Sequence, residues 1–251
     1  MRYDERAVSD LLAFILIFTV MLASVGLIAT FGWEAVGDAR DQAQLDSAER
    51  AIINVNDQLN GIADHEAPAR ATELRLGGGT LHVADGPNVT VDVWENETHN
   101  TTLIRDLGSL EYRMDDRYVE AAGGAVLRGR PDASVMRSDP PFVCDGDSAR
   151  LNVIRVVPET ISNIDSTATV QVQSRHARTQ LWTPSSWSLR ETARNVTVAV
   201  NDSRNQAAWE RYFEDAGWSD GESPGEFRCD PPGDSMRVIV RYTRVEFRFI
   251  R

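Results

Sequence analysis

The feature that most constrains this chain is an uncharged stretch of 23 residues between Asp10 and Glu34, LLAFILIFTVMLASVGLIATFGW. As an α-helix rising about 1.5 Å per residue, it would span about 35 Å, enough to cross a hydrocarbon core of about 30 Å. A bilayer offers the backbone no hydrogen-bond partners, so one apolar run of this length is expected to be helical. We therefore predict a membrane-spanning helix over residues 11–33.

The charges on either side of this helix predict its orientation. Arg2 and Arg6 precede it, whereas Glu34, Asp38 and Asp41 follow it. Because positively charged flanks stay on the cytoplasmic side, we predict a single-pass protein of the cell membrane. Its N-terminus would be cytoplasmic before any processing, and its head extracellular. A removable secretory signal is the alternative, although the apolar region of such signals is only about 7–15 residues long.

The helix is predicted to continue past the membrane as a stalk over residues 34–62. Apolar residues recur there at intervals of three and four, and Gly61 and Pro68 then supply stop signals. The apolar seam consists of Leu45, Ala48, Ile52, Val55, Leu59 and Ile62. Such a seam packs either on the head of its own chain or on neighbouring subunits, and the sequence favours neither role.

From Thr72 onward the apolar period changes to two, which predicts a β-rich head over residues 65–251. The predicted strands are Glu73–Leu76, Thr80–Val83, Val89–Trp94, Thr102–Leu107, Ser109–Met114, Tyr118–Ala122, Arg150–Val157, Ala168–Arg175, Asn195–Val200, Met236–Tyr242 and Arg244–Ile250. One helix, Asn205–Ala216, is expected among them, with Asp202 or Ser203 as its N-cap. The expected class is α+β, a long N-terminal helix followed by an antiparallel, sandwich-like head.

Three segments of the head carry further predictions. Gly77–Gly79 predicts a hairpin between the first two strands, and Arg128–Pro141, rich in Arg, Asp and Pro, predicts a long loop. The last strand has a basic face, which is either solvated or paired with acids of the stalk. Its arginines are Arg237, Arg241, Arg244, Arg248 and Arg251, and the acids are Asp38, Asp41, Asp46, Glu49 and Asp57.

The composition is strongly acidic. The net charge is -12, and all 26 basic residues are Arg, with no Lys. A high negative charge keeps proteins soluble and is typical of halophiles, although the codon bias of a GC-rich genome also favours Arg over Lys. Because binding to phosphate backbones requires a basic face, we predict no nucleic-acid partner.

Two cysteines, Cys144 and Cys229, each lie where an apolar stretch meets an acidic turn. Outside the cytoplasm they can oxidise, and a bridge between them would stabilise the head by about 4–5 kcal/mol through loop entropy. Two buried free thiols are the alternative. A bridge would also bring together four carboxylates, Asp145, Asp147, Asp230 and Asp234, as oxygen ligands for a hard cation such as Ca²⁺. Two solvated acidic turns are the simpler interpretation.

Five Asn-x-Ser/Thr sequons lie beyond the membrane helix, at Asn88, Asn96, Asn100, Asn195 and Asn201. A single sequon is a weak signal, because the pattern also arises by chance in polar turns. Three sequons within residues 88–100, on a chain argued to be extracellular, predict a glycosylated surface.

The leader and the first turns of the helix have the sequence Arg6-Ala7-Val8-Ser9-Asp10-Leu11-Leu12-Ala13-Phe14-Ile15-Leu16. This segment resembles the start of archaeal type IV pilin-like precursors. The resemblance implies that residues 1–7 are a leader, that a prepilin peptidase cleaves between Ala7 and Val8, and that residues 8–64 form the N-terminal helix. It covers about the first 60 residues of the chain.

The segment departs from the commonest pilins of that group, which have Pro-Val-Ile-Gly where this chain has Asp10-Leu11-Leu12-Ala13. Those pilins are also usually shorter. We therefore expect a minor or accessory subunit of a type IV pilus-like filament, acting in adhesion or assembly, rather than its bulk subunit. The expected partners are the membrane, the peptidase, and other pilin subunits or the cell-envelope layer. The alternative is a stand-alone anchored binding domain that does not polymerise.

Catalytic motifs are not apparent in the sequence. It contains no HExxH, GxSxG, GxGxxG or P-loop pattern, and its histidines, at positions 65, 82, 99 and 176, lack metal-ligand spacing. We therefore predict that the protein is not an enzyme and has no cofactor.

Overall fold

The computed structural model describes residues 5–95, 100–182, 192–202 and 204–250 of the chain. Its helices are α1 (Glu5–Ala63) and α2 (Gln206–Asp215). Its strands are β1 (Ala69–Arg75), β2 (Thr80–Ala84), β3 (Asn88–Trp94), β4 (Asn100–Asp106), β5 (Ser109–Met114), β6 (Arg117–Ala122), β7 (Ala125–Arg130), β8 (Ala133–Ser138), β9 (Phe142–Asp145), β10 (Ser148–Pro158), β11 (Asn163–Asp165), β12 (Thr169–Trp182), β13 (Asn195–Asn201), β14 (Ser219–Asp220), β15 (Glu226–Cys229) and β16 (Arg237–Ile250). The predicted α+β class is confirmed.

The chain divides into two compact units, Met1–Gln44 and Leu45–Arg251. In the first unit, α1 contains a segment, Leu11–Ile28, that is long and apolar enough to cross a membrane. None of this segment is buried, and its large apolar side chains are 50–71 % exposed. A helix that is apolar all round needs lipid or other apolar helices around it.

The stalk seam belongs to the core of the second unit. Leu45, Ile52, Leu59 and Ile62 are each at most 1 % exposed. They share one apolar cluster with the inward side chains of β2, β5 and β6 and with the end of β16. Of the two roles that the sequence leaves open, packing on the chain's own head is therefore correct. The boundary that the sequence suggests between the N-terminal helix and the head, at residues 64 and 65, lies inside this unit.

The described strands of the head form three sheets. Sheet A has the order β1-β12-β16-β10-β9, sheet B the order β11-β2-β5-β6-β7-β8, and sheet C the order β14-β15-β13-β3-β4. Neighbouring strands are antiparallel except β10 and β16, which pair in parallel from Ser148↔Arg237 to Pro158↔Phe247. Met236–Tyr242 and Arg244–Ile250, predicted as separate strands, are joined in β16 from Arg237 onward.

A second apolar cluster lies between sheet C and parts of sheets A and B. The inward valines of β3 and β13 meet the aromatic face of α2, formed by Trp209, Tyr212 and Phe213. Phe213 stacks on Phe227 of β15 with ring centroids 4.7 Å apart. The three sheets thus enclose two cores, one built around the stalk helix and one around α2.

Two of the stalk acids, Asp46 and Glu49, pair with arginines of β7 and β8 and not with the basic last strand, as one sequence-based alternative supposed. Glu49 accepts hydrogen bonds from Arg128 at 2.5 Å and from Arg137 at 2.6 Å, and Asp46 accepts one from Arg128 at 2.7 Å. The arginines of β16 instead contact acids elsewhere, in the pairs Arg241–Asp64, Arg244–Glu246 and Arg248–Glu159.

Two predicted connections are wrong. Residues 128–141 are not a long loop, because β7 and β8 pair there as a hairpin from Leu127↔Met136 to Arg130↔Ala133. Every second residue of β8 is exposed, so its apolar signal is weak. Gly77–Gly79 does not close a hairpin either: β1 pairs with β12 in sheet A, whereas β2 pairs with β5 and β11 in sheet B.

Candidate functional site

A row of ionisable residues crosses the outer face of sheet B. His82 of β2 pairs with Glu111 of β5, and Glu111 pairs with Glu120 of β6. Since alternate residues of a strand point to opposite faces, this row lies opposite the apolar residues that pack on the stalk helix. Glu111 is nevertheless only 2 % exposed, and Glu120 only 3 %. Two carboxylates buried side by side require a positive partner.

Arg204, two residues before α2, supplies that partner. Its Nη2 atom lies 2.5 Å from Oε2 of Glu111 and 2.5 Å from Oε2 of Glu120. The guanidinium also lies 4.0 Å from the centre of the Tyr118 ring, in a cation–π contact. Arg204 therefore joins two neighbouring strands of sheet B to the start of α2.

Asn205 and Tyr118 complete the network. Asn205 donates from Nδ2 to Oε2 of Glu120 at 3.0 Å, and the Tyr118 hydroxyl donates to Oδ1 of Asn205 at 2.6 Å. Asn205 is also the N-cap residue of α2, although its side chain makes no capping bond. The predicted caps are therefore wrong: Asp202 instead accepts the backbone N–H groups of Arg204 and Asn205, each at 3.0 Å, and Ser203 lies outside the described residues.

Burial shifts the ionisation of this network. It raises the pKa of Glu120 against the attraction of Arg204, and it raises the pKa of Tyr118 to about 12. Burial also lowers the pKa of His82. The Glu111 carboxylate, whose Oε1 lies 3.6 Å from Nε2 of His82, opposes that shift. Glu120 and Glu111 together raise the pKa of Arg204 despite its partial burial. Arg204 thus stays charged, and His82 favours the neutral imidazole.

The network forms one wall of a polar cleft of about 780 Å³. The loop Asp85–Pro87 forms another wall, and Asn88, Asn201 and Gln206 also line it. Glu111 and Glu120 both accept hydrogen bonds from Arg204. Neither carboxylate is therefore free to act as a general acid or base. The arrangement therefore suits the binding of a polar ligand better than proton transfer.

Among the other predicted site residues, the cysteine pair is confirmed. Cys144 of β9 and Cys229 of β15 form a disulfide that connects sheet A to sheet C. The adjoining carboxylates, Asp145, Asp147, Asp230 and Asp234, are exposed, and Asp230 accepts a hydrogen bond from Arg228. Within the described ranges, no three His, Cys, Asp or Glu residues form a group that could hold a metal ion. The structure thus does not gather these four carboxylates into a cation site.

The sequons differ in their surroundings. Asn88 and Asn201 are exposed, directly opposite each other on β3 and β13, and both line the polar cleft. Asn195 is half-buried. Asn96 lies outside the described residues, as does the side chain of Asn100. The side chains at the predicted cleavage site, Ala7 and Val8, are also outside the described part, although both residues belong to α1.

Sequence reasoning missed the buried network. One signal was present: Glu111 and Glu120 stand between apolar residues in strands that were correctly predicted. Alternation predicts only that each carboxylate points away from its apolar neighbours. Their pairing depends on the register of β5 with β6, and their partner Arg204 is more than 80 residues away.

Comparison with known proteins adds one finding. A family model described as "Family of unknown function (DUF7289)" matches residues 6–248. No curated protein and no solved structure matches the chain. The family match includes the apolar helix, the stalk and nearly all of the head, so these parts occur together in one family architecture.

Proposed function

Because the chain belongs to the DUF7289 family, whose function is unknown, we propose its function from its architecture. We propose a non-catalytic, pilin-like, membrane-anchored protein of the cell surface, a minor or accessory subunit of a type IV pilus-like filament acting in adhesion or assembly. The membrane and a prepilin peptidase are its partners in this proposal, together with other pilin subunits or the cell-envelope layer.

The observation that carries the proposal is the exposed apolar helix. Leu11–Ile28 has no buried residue, whereas the stalk seam of the same helix is part of the head's core. Such a segment is stable in lipid or against the same segment of other copies, the two environments that a pilin subunit occupies before and after assembly. The resemblance of residues 6–16 to pilin-like precursors supports the same proposal.

The remaining features are consistent with an extracellular head. Its disulfide favours an oxidising compartment, and the described sequon residues Asn88 and Asn201 are exposed. The carboxylates of the polar cleft are held by Arg204, which supports a role without catalysis. The net charge of -12 supports the absence of nucleic-acid partners.

The polar cleft favours a second candidate function, a stand-alone anchored domain that binds a ligand. The cleft measures about 780 Å³ and lies entirely within the second unit, so it needs no second subunit to complete it. The two functions differ in the fate of the N-terminus, because extraction into a filament requires removal of the leader.

The test is to determine the N-terminus of the mature protein by mass spectrometry, in membranes and in material sheared from the cell surface. A start at Val8 in both fractions is the expected result for a filament subunit. A start at Val8 in membranes alone would indicate a pilin-like protein that is processed but idle or accessory. An intact Met1 or Arg2 would contradict processing by a prepilin peptidase and leave only an anchored surface domain.

A further inference from the structure

The outer face of sheet C carries polar and aromatic residues at one end of the sheet. On β13, Val196 and Val198 point into the core, so Asn195 and Thr197 point to the outer face. Asn195 pairs with Trp94 of β3, which places an indole beside it on the same face. Thr197 pairs with Arg228 of β15. Because its neighbours Phe227 and Cys229 are buried in the core, Arg228 lies on the outer face of the sheet.

Two oxygens on this face are buried without a hydrogen bond. Neither Oδ1 of Asn195 nor Oγ1 of Thr197 has a partner among the described residues. The Thr197 residue is only 4 % exposed. Because a buried polar atom without a partner costs free energy, each of these atoms requires an explanation. An amide oxygen has only acceptor sites, so Asn195 calls for a donor from outside the protein.

The same residues line a cavity of about 340 Å³. Trp94, Asn195 and Thr197 form one side, and charged residues complete the lining. Their formal charges balance, since Arg194 and Arg228 oppose Glu222 and Glu226. The volume is at the small end of the range for small-molecule sites, about 300–1,000 Å³. The cavity therefore suits a small, uncharged ligand that is rich in hydroxyl donors and has an apolar face.

We propose that this cavity binds one or two residues of a neutral saccharide. The Trp94 indole provides a flat apolar surface for the C–H face of a sugar ring. On binding, the Asn195 and Thr197 side chains turn toward the cavity so that Oδ1 and Oγ1 accept hydrogen bonds from hydroxyl groups of the sugar, and the surrounding charged side chains bind its other hydroxyls. This inference does not depend on whether the chain polymerises, because every residue in it belongs to the second unit.

The proposal predicts that one sequon carries no glycan. Asn195-Val196-Thr197 has the pattern of a glycan acceptor, but its two polar side chains are here part of a binding site. We therefore expect Asn195 to be unmodified in the native protein, in contrast to the exposed Asn88 and Asn201. Peptide mapping by mass spectrometry measures this directly, and a glycan attached to Asn195 would overturn the proposal.

Binding is tested on the full chain, prepared without N-glycans in lipid nanodiscs, because detergents with sugar head groups would compete for the site. The probes are the methyl glycosides of glucose, galactose and mannose, observed by saturation-transfer NMR. Inorganic phosphate and choline serve as charged comparators. We expect saturation transfer to the ring protons of at least one glycoside, and weaker binding by about tenfold or more in Trp94→Ala and Thr197→Val.

The Thr197→Val variant separates binding from folding. Valine has the shape of threonine and removes a hydroxyl that bonds to no described residue, so the variant should stay folded. Thr80→Val, a half-buried threonine on sheet B, is the matched control and should bind like the wild type. The proposal fails if no glycoside binds, which would leave solvent alone in the cavity. It also fails if both pocket variants bind sugar as the wild type does, or if phosphate or choline binds in place of the sugars.

Discussion

Glu49 shows how a charged residue is kept inside the head. It is only 5 % exposed, yet it lies on the stalk helix among apolar neighbours. Burial by itself would raise the pKa of its carboxyl group, but the hydrogen bonds from Arg137 and Arg128 hold that pKa below its usual range. The same bonds attach the β7–β8 hairpin to the stalk.

We expect Glu49→Gln to lower the free energy of unfolding at neutral pH by about 1–3 kcal/mol, because it removes the buried negative charge that binds Arg128 and Arg137 and leaves one acceptor oxygen where there were two. A carboxyl group whose pKa is lowered by folding stabilises the protein above its unfolded pKa, here 4.5, and loses that effect as the pH falls through the folded value. The difference between variant and wild type should therefore shrink below about pH 4.5 in urea titrations.

Glu73→Gln is the matched control, since Glu73 is exposed on β1. It should change the unfolding free energy by less than about 0.5 kcal/mol. A Glu49→Gln curve parallel to that of the wild type down to acid pH would contradict the assigned role of the two arginines.

Residues of this kind define the limit of sequence-based prediction. The cysteine pair was predictable because outside the cytoplasm only one pairing of two cysteines is possible within the chain. The ion pairs of Glu49 and Arg204 were not predictable, because the energy of an ion pair depends on partners that the fold brings together. The last strand does carry a solvated basic face, since Arg248 stays half-exposed, but its two hydrogen bonds to Glu159 were not predictable.

At the scale of elements, the start of α2 is positioned by a side chain that precedes the helix. Asp202 accepts the N–H groups of Arg204 and Asn205 from a position three residues before the N-cap residue. It thereby holds Arg204 where the guanidinium reaches both buried carboxylates. The helix start and the polar cleft therefore depend on the same side chain.

We expect Asp202→Ala to lower the free energy of unfolding by about 1–3 kcal/mol, because it removes the acceptor of two backbone N–H groups just before α2. Asp215→Ala at the other end of α2 is the control. An exposed acid near a helix C-terminus is unfavourable, so this change should be neutral or slightly stabilising. Thermal unfolding followed by circular dichroism measures both, and equal effects at the two ends would contradict the role of Asp202 in holding the segment before α2.

Elements with strong alternation were predictable, and weakly apolar ones were not. Ser109–Met114 was predicted with the bounds that the structure has, because Leu110 and Tyr112 alternate with polar residues and are fully buried. The β8 strand was missed, because it lies at the edge of sheet B and buries little surface. The hairpin predicted at Gly77–Gly79 is wrong because a glycine turn indicates only that the chain changes direction. It does not indicate whether the strands on either side of the turn pair with each other.

At the scale of the whole head, the disulfide connects sheets that share no strand. Cys144 lies on the edge strand of sheet A, and Cys229 lies on β15 of sheet C. The two cysteines are 85 residues apart, so the bridge strongly restricts the unfolded chain. It also adjoins the aromatic cluster around α2, which Cys229 helps to form.

We expect the double variant Cys144→Ser/Cys229→Ser to lose about 4–5 kcal/mol of unfolding free energy, as loop entropy predicts. Adding a thiol reductant should lower the stability of the wild type to that of the variant and leave the variant unchanged. Denaturant unfolding of the full chain in nanodiscs measures both. A variant that unfolds at the same denaturant concentration as the oxidised wild type would show that the bridge does not limit stability.

The position of β16 has a consequence for how the protein is made. Sheet A has β16 at its centre, between β12 and β10, although β16 is the last strand along the chain. Until residues 237–250 arrive, the β1–β12 pair and the β9–β10 pair are separate ribbons, each with an unpaired edge. The unpaired N–H and C=O groups of an open strand edge can pair with a wrong strand or with another chain. Contacts between segments that are distant in the sequence also form slowly. Sheet A is therefore completed only after β16, which follows its other strands in the sequence, has been made, and the rate of translation sets how long those edges stay open.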